Sequence, residues 1–114
     1  MVGLISFEDW QKLDLRVAEI LEVEDITNAD KLYKLTVDIG SEERTLCAGI
    51  KEFYSKEELI GKKIIVFTNL APRKMKGIES QGMLLAAVNE DHKKVVLIKP
   101  MIDIKEGEKV IFKK

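Results

Sequence analysis

Apolar and polar residues alternate along most of the chain, and this pattern predicts a series of short β-strands. The predicted strands span residues 15–23, 33–39, 44–48, 63–68, 83–88 and 95–98. Glu19 lies among the apolar positions of the first strand, so we expect a bend or bulge there. The sequence Gly40, Ser41, Glu42 predicts a hairpin turn between the second and third strands.

Capping residues predict two short helices. Ser6 and Asp9 mark the start of the first helix. Its apolar face comprises Phe7, Trp10 and Leu13. Ser55 followed by Glu58 has the order of a capping box, and Gly61 is a natural helix stop, so the second helix lies between the third and fourth strands.

The order of these elements indicates a fold class. Five principal strands with a helix between the third and fourth is typical of the OB-fold, a small Greek-key barrel that often binds oligonucleotides. We therefore expect an all-β, five-stranded OB-fold, with other small barrels as alternatives. At 114 residues and 46% apolar the chain suits one domain, residues 1–114. Terminal segments of about residues 1–13 and 101–114 are expected to flank the barrel, and their apolar residues need a surface to pack on.

Composition makes several functions improbable. With one cysteine, Cys47, and one histidine, His92, neither an intramolecular disulfide nor an ordinary zinc site is expected. The serine-nucleophile motif is incomplete, because Ile78 stands two positions before Ser80 where glycine is needed. The phosphate-loop motif is incomplete, because Met83 and Leu84 follow Gly82 where lysine and then serine or threonine are required. We expect no catalytic residues, no metal and no cofactor. Since no apolar run is long enough to span a membrane or to serve as a signal peptide, we expect a cytoplasmic protein.

Positive charge is concentrated between Gly61 and Ile78, although the whole chain has a formal net charge of only -1. This stretch contains no acidic residue and five basic ones, Lys62, Lys63, Arg73, Lys74 and Lys76. The last three lie in a loop that could contact phosphates or could simply be a soluble turn; charge alone leaves both open. Met75, apolar within this basic run, could pack into the end of the barrel or against a base.

Several segments resemble one known family over nearly the whole chain. The matching segments are Lys12 to Val17, Asn28 to Tyr33 with Leu35, Val37 to Gly40, Glu57 to Lys62 and above all Asn69 to Lys74, followed by Gly77, Ser80, Gly82, Met83 and Ala86. Together they resemble the tRNA-binding domains of the EMAP II and Trbp111 type, which occur as free dimers and as the C-terminal domain or beta subunit of methionyl-tRNA synthetases.

The resemblance implies an OB-fold that binds the structured outer corner of tRNA with little base specificity. It also implies a homodimer built from the terminal segments, and the catalytic part of a methionyl-tRNA synthetase as a further partner. The expected tRNA-binding residues are Asn28, Lys31, Asn69, Arg73, Lys74, Ser80, Gln81 and Met83, to which we add Lys76 for its charge. One departure is Ile26-Thr27, where many members have His-Pro before the Asn-Ala-Asp sequence.

Two other functions stay open. One is a dimeric protein-binding or chaperone-like module, a role associated with one bacterial branch of the family. The other is a dimerisation appendage with only vestigial affinity for RNA. An exposed apolar groove would favour protein binding, and a continuous basic face would favour tRNA.

Overall fold

The computed structural model of the chain describes residues 3–113, so the outermost residues of the predicted domain and terminal segments, 1–2 and 114, lie outside the described residues. The elements within the described range are α1 (Phe7–Gln11), β1 (Leu15–Ile26), β2 (Ala29–Asp38), β3 (Glu43–Ala48), α2 (Lys56–Leu59), β4 (Lys63–Phe67), β5 (Arg73–Met75), β6 (Ile78–Ser80), β7 (Met83–Leu84), β8 (Ala86–Val88) and β9 (Val95–Leu97).

A five-stranded antiparallel sheet with the order β3-β2-β1-β4-β7 forms the body of the molecule. Strand β1 organises it, pairing with β4 through its first five residues and with β2 from Glu19 onwards. The β1–β2 register slips between Ile20 and Glu22, which is the irregularity predicted for this strand. The two edges of the sheet, β3 and β7, approach each other. The Gln81 N–H, just before β7, donates to the carbonyl oxygen of Thr45 in β3 over 2.8 Å. The predicted all-β OB-fold class is confirmed.

The structure differs from the expected strands after β4. Residues 69–82, predicted as a loop, contain the hairpin β5–β6, which turns through Lys76 and Gly77 with φ of 53° and 82°. The strand predicted over 83–88 is divided at Leu85 into β7, which pairs with β4, and β8, which pairs with β9. Leu85 links the two ladders, since its N–H donates to the Ile65 oxygen and its oxygen accepts from the Ile98 N–H. A continuous apolar run does not reveal such a change of partner.

The main core is built from the inward-facing residues of the sheet and closed by α2. Buried side chains of β1, β2, β3, β4 and β7 meet there with Leu59 of α2. The predicted capping box is present, because the Ser55 Oγ accepts from the Glu58 N–H and the Glu58 carboxylate accepts from the Ser55 N–H. Gly61 follows with φ of 82°, as expected for a helix stop.

A second core attaches both terminal segments to the first half of β1. The tail runs beside this strand, because the Gly107 N–H donates to the Val17 oxygen and the Val110 N–H donates to the Leu15 oxygen. Trp10 and Leu13, in and after α1, pack with Val110 on the cluster of Leu15, Val17 and Ile65. The apolar residues of the tail therefore cover the sheet in part, as the sequence required.

Much of the terminal apolar surface is still exposed. Ile5 is 74% exposed and Phe112 is 61% exposed, and the ring centroids of Phe7 and Phe112 are 5.4 Å apart. We define the terminal apolar face as Ile5, Phe7, Trp10, Leu13, Ile111 and Phe112, which line two adjoining concave surfaces. A contiguous exposed apolar surface of this kind is typical of an interaction site.

The close approach of Gly82 to the backbone of β4 predicts an effect on stability. A Cβ on Gly82, where φ is 129°, would lie 2.7 Å from the Phe67 carbonyl oxygen, whereas a Cβ on Gly61 would meet open space. Both substitutions force an L-residue to positive φ, but only the first also overpacks the β4–β7 contact. We expect Gly82→Ala to lower the free energy of unfolding by about 2 kcal/mol more than Gly61→Ala, measured by urea unfolding. Equal losses would contradict this packing.

Candidate nucleic-acid interface

The three basic residues of the predicted loop, Arg73, Lys74 and Lys76, lie on one hairpin. We call residues 73–80 the basic hairpin. Arg73 and Lys74 are on β5 and Lys76 is in the turn, and all three side chains are exposed. Pairing of Arg73 with Ser80 and of Met75 with Ile78 fixes the hairpin register. Gly77, the second residue of the turn, tolerates the positive φ that a tight two-residue turn requires.

The basic hairpin is docked on the turn between β1 and β2. Met75 and Ile78 pack on a buried cluster of Ile26, Ala29 and Cys47, which come from the end of β1, the start of β2 and the last part of β3. The structure therefore shows Met75 packed against the end of the barrel, which is the first of the two alternatives that the sequence left open. Because Ile26 and Ala29 flank the β1–β2 turn, the hairpin cations and the polar residues of that turn lie at the same end of the molecule.

That turn contributes the first pair of predicted contact residues. Asn28 is exposed with φ of 62°, a left-handed conformation that asparagine adopts more readily than most residues. Lys31 is exposed near the start of β2. Together with the hairpin they present one amide and four cations, Lys31, Arg73, Lys74 and Lys76.

Charge pairing separates these cations from other lysines of the same region. Lys51 and Lys56 both bind Asp25, over 3.0 and 2.9 Å, and these hydrogen bonds, that of Lys56 first, lower the pKa of the Asp25 carboxyl. Lys31, Arg73, Lys74 and Lys76, by contrast, make no ion pair within residues 3–113. The cations of this end that form no ion pair therefore lie on the hairpin, where Glu79 is the cross-strand neighbour of Lys74, and at the start of β2.

Two of the predicted polar contacts are exposed residues whose side chains also hydrogen-bond within the protein. The Asn69 Oδ1 accepts from the Asp14 N–H and its Nδ2 donates to the Lys12 oxygen, both over 2.7 Å. The Gln81 Oε1 accepts from the Thr45 N–H over 3.0 Å. Asn69 thus fixes the start of the segment that carries the basic hairpin, and Gln81 fixes its end.

Ser80 lies inside the protein. It is 2% exposed, and its Oγ accepts from the Cys47 N–H over 3.0 Å and donates to the Gly82 oxygen over 2.9 Å. Cys47 is itself fully buried, and burial raises the pKa of its thiol. Met83, the last predicted contact, is half-buried, packs on the main core and pairs with Phe67. The structure thus places Ser80 and Met83 at the base of the hairpin.

Sequence reasoning did not identify Arg44, which lies at the base of the same segment. Its Nη1 donates to the Thr68 oxygen over 2.9 Å and to the Gln81 oxygen over 3.1 Å, and its Nε binds Glu42. The only signal in the sequence is an arginine at the start of a predicted strand, between Glu43 and Thr45. That signal does not distinguish an inward-bonded guanidinium from a solvated one.

Other kinds of site find little support in the described part of the chain. Among residues 3–113, no group of three or more His, Cys, Asp or Glu side chains is placed to hold a metal ion. A search of the same residues for a helix of the length and apolarity that a membrane crossing demands finds none.

An OB-fold with a rigidly docked hairpin of unpaired cations is typical of oligonucleotide-binding domains. The chain belongs to the tRNA-binding domain family: the family model described as "Putative tRNA binding domain" matches residues 15–109. The resemblance inferred from the sequence motifs is therefore confirmed. The family's description is that of a binding domain.

Relatives and solved structures agree with this assignment. The chain is 54% identical over 106 residues to the methionine–tRNA ligase of Pyrococcus horikoshii, covering 93% of this chain but 14% of that protein. A crystal structure of a MetRS-related protein from the same organism matches with a TM-score of 0.90 and 41% identity, covering 96% of this chain and 100% of the other. The chaperone CsaA of Bacillus anthracis matches with a TM-score of 0.86 and 29% identity, with the same coverage of both chains.

The buried hydrogen bonds of the Ser80 hydroxyl predict that its removal lowers the stability of the fold. Ser80→Ala removes the acceptor of the Cys47 N–H, and leaving a buried donor unpaired costs about 1–3 kcal/mol. Glu79→Ala changes the exposed neighbour and should alter the free energy of unfolding by less than about 0.5 kcal/mol. Urea unfolding of both variants compares the two positions. A Ser80→Ala protein as stable as the Glu79→Ala protein would show that the hydroxyl does not hold the hairpin.

Proposed function

We propose that this chain binds tRNA without catalysis, through the basic hairpin and the adjoining β1–β2 turn. The observation that carries the proposal is the docking of Met75 and Ile78 on the turn, which brings four unpaired cations to one end of the fold. Membership of the tRNA-binding domain family supports the choice of tRNA as the ligand.

The chemistry of the surface favours recognition of the backbone over recognition of sequence. Lysine and arginine bind phosphates and release counterions, and such contacts position a nucleic acid without reading its bases. Direct contacts are assigned to Asn28, Lys31, Arg73, Lys74 and Lys76, whose side chains are exposed. Asn69, Ser80 and Gln81 stay predicted contacts; the first and last are exposed, and all three also support the hairpin through hydrogen bonds within the protein. Met83 stays a predicted contact.

Binding of this kind suits a module that increases tRNA capture by an enzyme. The similarity to methionine–tRNA ligases, of which this chain spans about 14%, supports a role as their C-terminal domain or as a separate beta subunit in the cytoplasm. Joined to a catalytic part, the module would raise the local concentration of tRNA, so that two weak sites act as a stronger one. The structured outer corner of tRNA offers a rigid arrangement of phosphates to the docked cations.

The terminal apolar face supports a homodimer. Ile5, Phe7, Ile111 and Phe112 of this face are exposed although both terminal segments are attached to the sheet through the second core. A second copy of the same face would bury Ile5, Phe7 and Phe112, and such self-complementary contacts are the commonest form of protein oligomer. Two basic hairpins on one dimer would also double the number of tRNA-binding surfaces.

A protein-binding function is the second candidate, and the same exposed face favours it. Ile5 and Phe112 could cover apolar segments of another polypeptide, and one similar structure is that of a chaperone. The two candidates use different surfaces: tRNA would contact the basic hairpin, and a polypeptide would contact the terminal apolar face.

A tRNA titration at several salt concentrations tests the proposed function. We expect the wild-type chain to prefer folded tRNA to a DNA duplex of equal charge, with an affinity that falls steeply as salt rises. The Lys74→Ala, Lys76→Ala double variant should bind more weakly. The salt slope, defined as the magnitude of the slope of log affinity against log salt concentration, should fall by about 1.5, because each lost phosphate contact contributes about 0.7–0.9.

The matched control is the Lys93→Ala, Lys94→Ala double variant, which removes the same charge from the turn between β8 and β9. It should bind tRNA nearly as the wild type does. Equal weakening in both variants would mean that only net charge matters. No binding of tRNA by the folded wild type would favour the protein-binding candidate.

Sedimentation tests the homodimer. The wild-type chain is expected to sediment as a dimer, and the Ile5→Asp, Ile111→Asp double variant as a folded monomer, because buried carboxylates would oppose association. Ile60→Asp alters an exposed isoleucine beside α2, away from the terminal apolar face, and should leave the dimer intact. A monomeric wild type, or dissociation by Ile60→Asp alone, would contradict the assignment of the interface.

A further inference from the structure

The basic hairpin is part of a longer segment that leaves the sheet after Thr68 and returns at Gln81. We call Thr68 and Asn69 the entry stem, and Gln81 and Gly82 the exit stem. The guanidinium of Arg44 binds both stems, since its Nη1 donates to the Thr68 oxygen over 2.9 Å and to the Gln81 oxygen over 3.1 Å. Within residues 3–113 no other side chain is hydrogen-bonded to both stems.

Each stem is also held separately to the body of the fold. The Thr68 N–H and its Oγ1 both donate to the Asp14 oxygen, over 2.8 and 2.9 Å. On the other side, Gln81 exchanges hydrogen bonds with Thr45 through its backbone N–H and its side chain. Arg44 joins these two attachments, so it fixes the distance between the points where the segment begins and ends.

Arg44 lies apart from the hairpin cations along β3. Cys47, on which the hairpin packs, is three residues further along the strand, a distance of about 10 Å. The Arg44 side chain lines a different cleft, shared with Asp14, Gly107 and Lys105. Its charge is also largely compensated, because its Nε binds the Glu42 carboxylate.

We propose that Arg44 is a positioning residue for RNA binding: it joins the two stems and thereby holds the three cations of the basic hairpin in the arrangement that tRNA meets. The inference rests on the proposed function. A flexible segment would lose conformational entropy on binding, and a segment already ordered in the free protein does not. Arginine suits the position because its planar guanidinium presents several donors in a fixed geometry, whereas lysine offers one compact ammonium.

Three variants of the full chain test the inference. Arg44→Met removes all donors to the stems, and Arg44→Lys keeps the charge but not the geometry. Lys105→Met is the control for charge, since Lys105 lines the same cleft and forms no ion pair in the described part of the chain. Each protein is titrated with tRNA at several salt concentrations, and its backbone amide hydrogen exchange is measured without RNA.

The expected results separate positioning from direct contact. Arg44→Met should weaken tRNA binding about tenfold, as expected for the loss of hydrogen bonds to a charged group, with an unchanged salt slope. Amides of residues 69–82 should exchange faster while those of β1 and β2 do not. Arg44→Lys should resemble Arg44→Met, and Lys105→Met should resemble the wild type. In the Lys74→Ala, Lys76→Ala background the effect of Arg44→Met should shrink, because the cations that it positions are absent.

Other results would overturn the inference. A salt slope lower by about one with unchanged amide exchange would make Arg44 a phosphate contact. Wild-type affinity in Arg44→Met would show that the stems need no bridge, while the proposed tRNA function would stand. If the wild-type chain itself fails to bind tRNA, both the function and the positioning role are wrong; amide exchange would then report only whether Arg44 orders the segment.

Discussion

The packing of Met75 and Ile78 on the β1–β2 turn is the contact on which the candidate interface depends. Ile26, Ala29 and Cys47 form the buried surface that receives them, and those residues come from three different strands. Without this contact the basic hairpin would be a two-stranded ribbon in solvent, which is marginally stable on its own. With it, the cations of the hairpin and Lys31 belong to one rigid end of the sheet.

Polar residues around the hairpin differ in whether their side chains interact with the rest of the protein. Hydrogen bonds within the protein are made by the side chains of Asn69, Ser80 and Gln81. The four cations, by contrast, form no ion pair within residues 3–113. The Ser80 hydroxyl satisfies a buried backbone group, the Cys47 N–H, whose lack of a partner would be costly. Asn69 also binds Lys12 and Asp14, so the entry of the basic segment and the α1–β1 connection, which leads to the terminal apolar face, share one set of hydrogen bonds.

Local patterns predicted most of the fold and only part of the site. Alternation and capping residues located the sheet strands and both helices, because these signals lie within a few residues of the element they specify. The packing of Met75 depends on Ile26 and Cys47, which are distant in sequence, so the sequence left two alternatives. The division at Leu85 and the role of Arg44 follow from hydrogen-bond partners on other strands, and an inward-bonded Ser80 has the same sequence signature as an exposed one.

The central claim, that one end of the fold forms the tRNA surface, is tested most directly by following backbone amide NMR signals during addition of tRNA. The account predicts that the largest changes fall on residues 28–31 and 73–77, and that the β8–β9 turn and the terminal apolar face change little. Changes concentrated at Ile5, Phe7 and Ile111, with the basic hairpin unaffected, would contradict it.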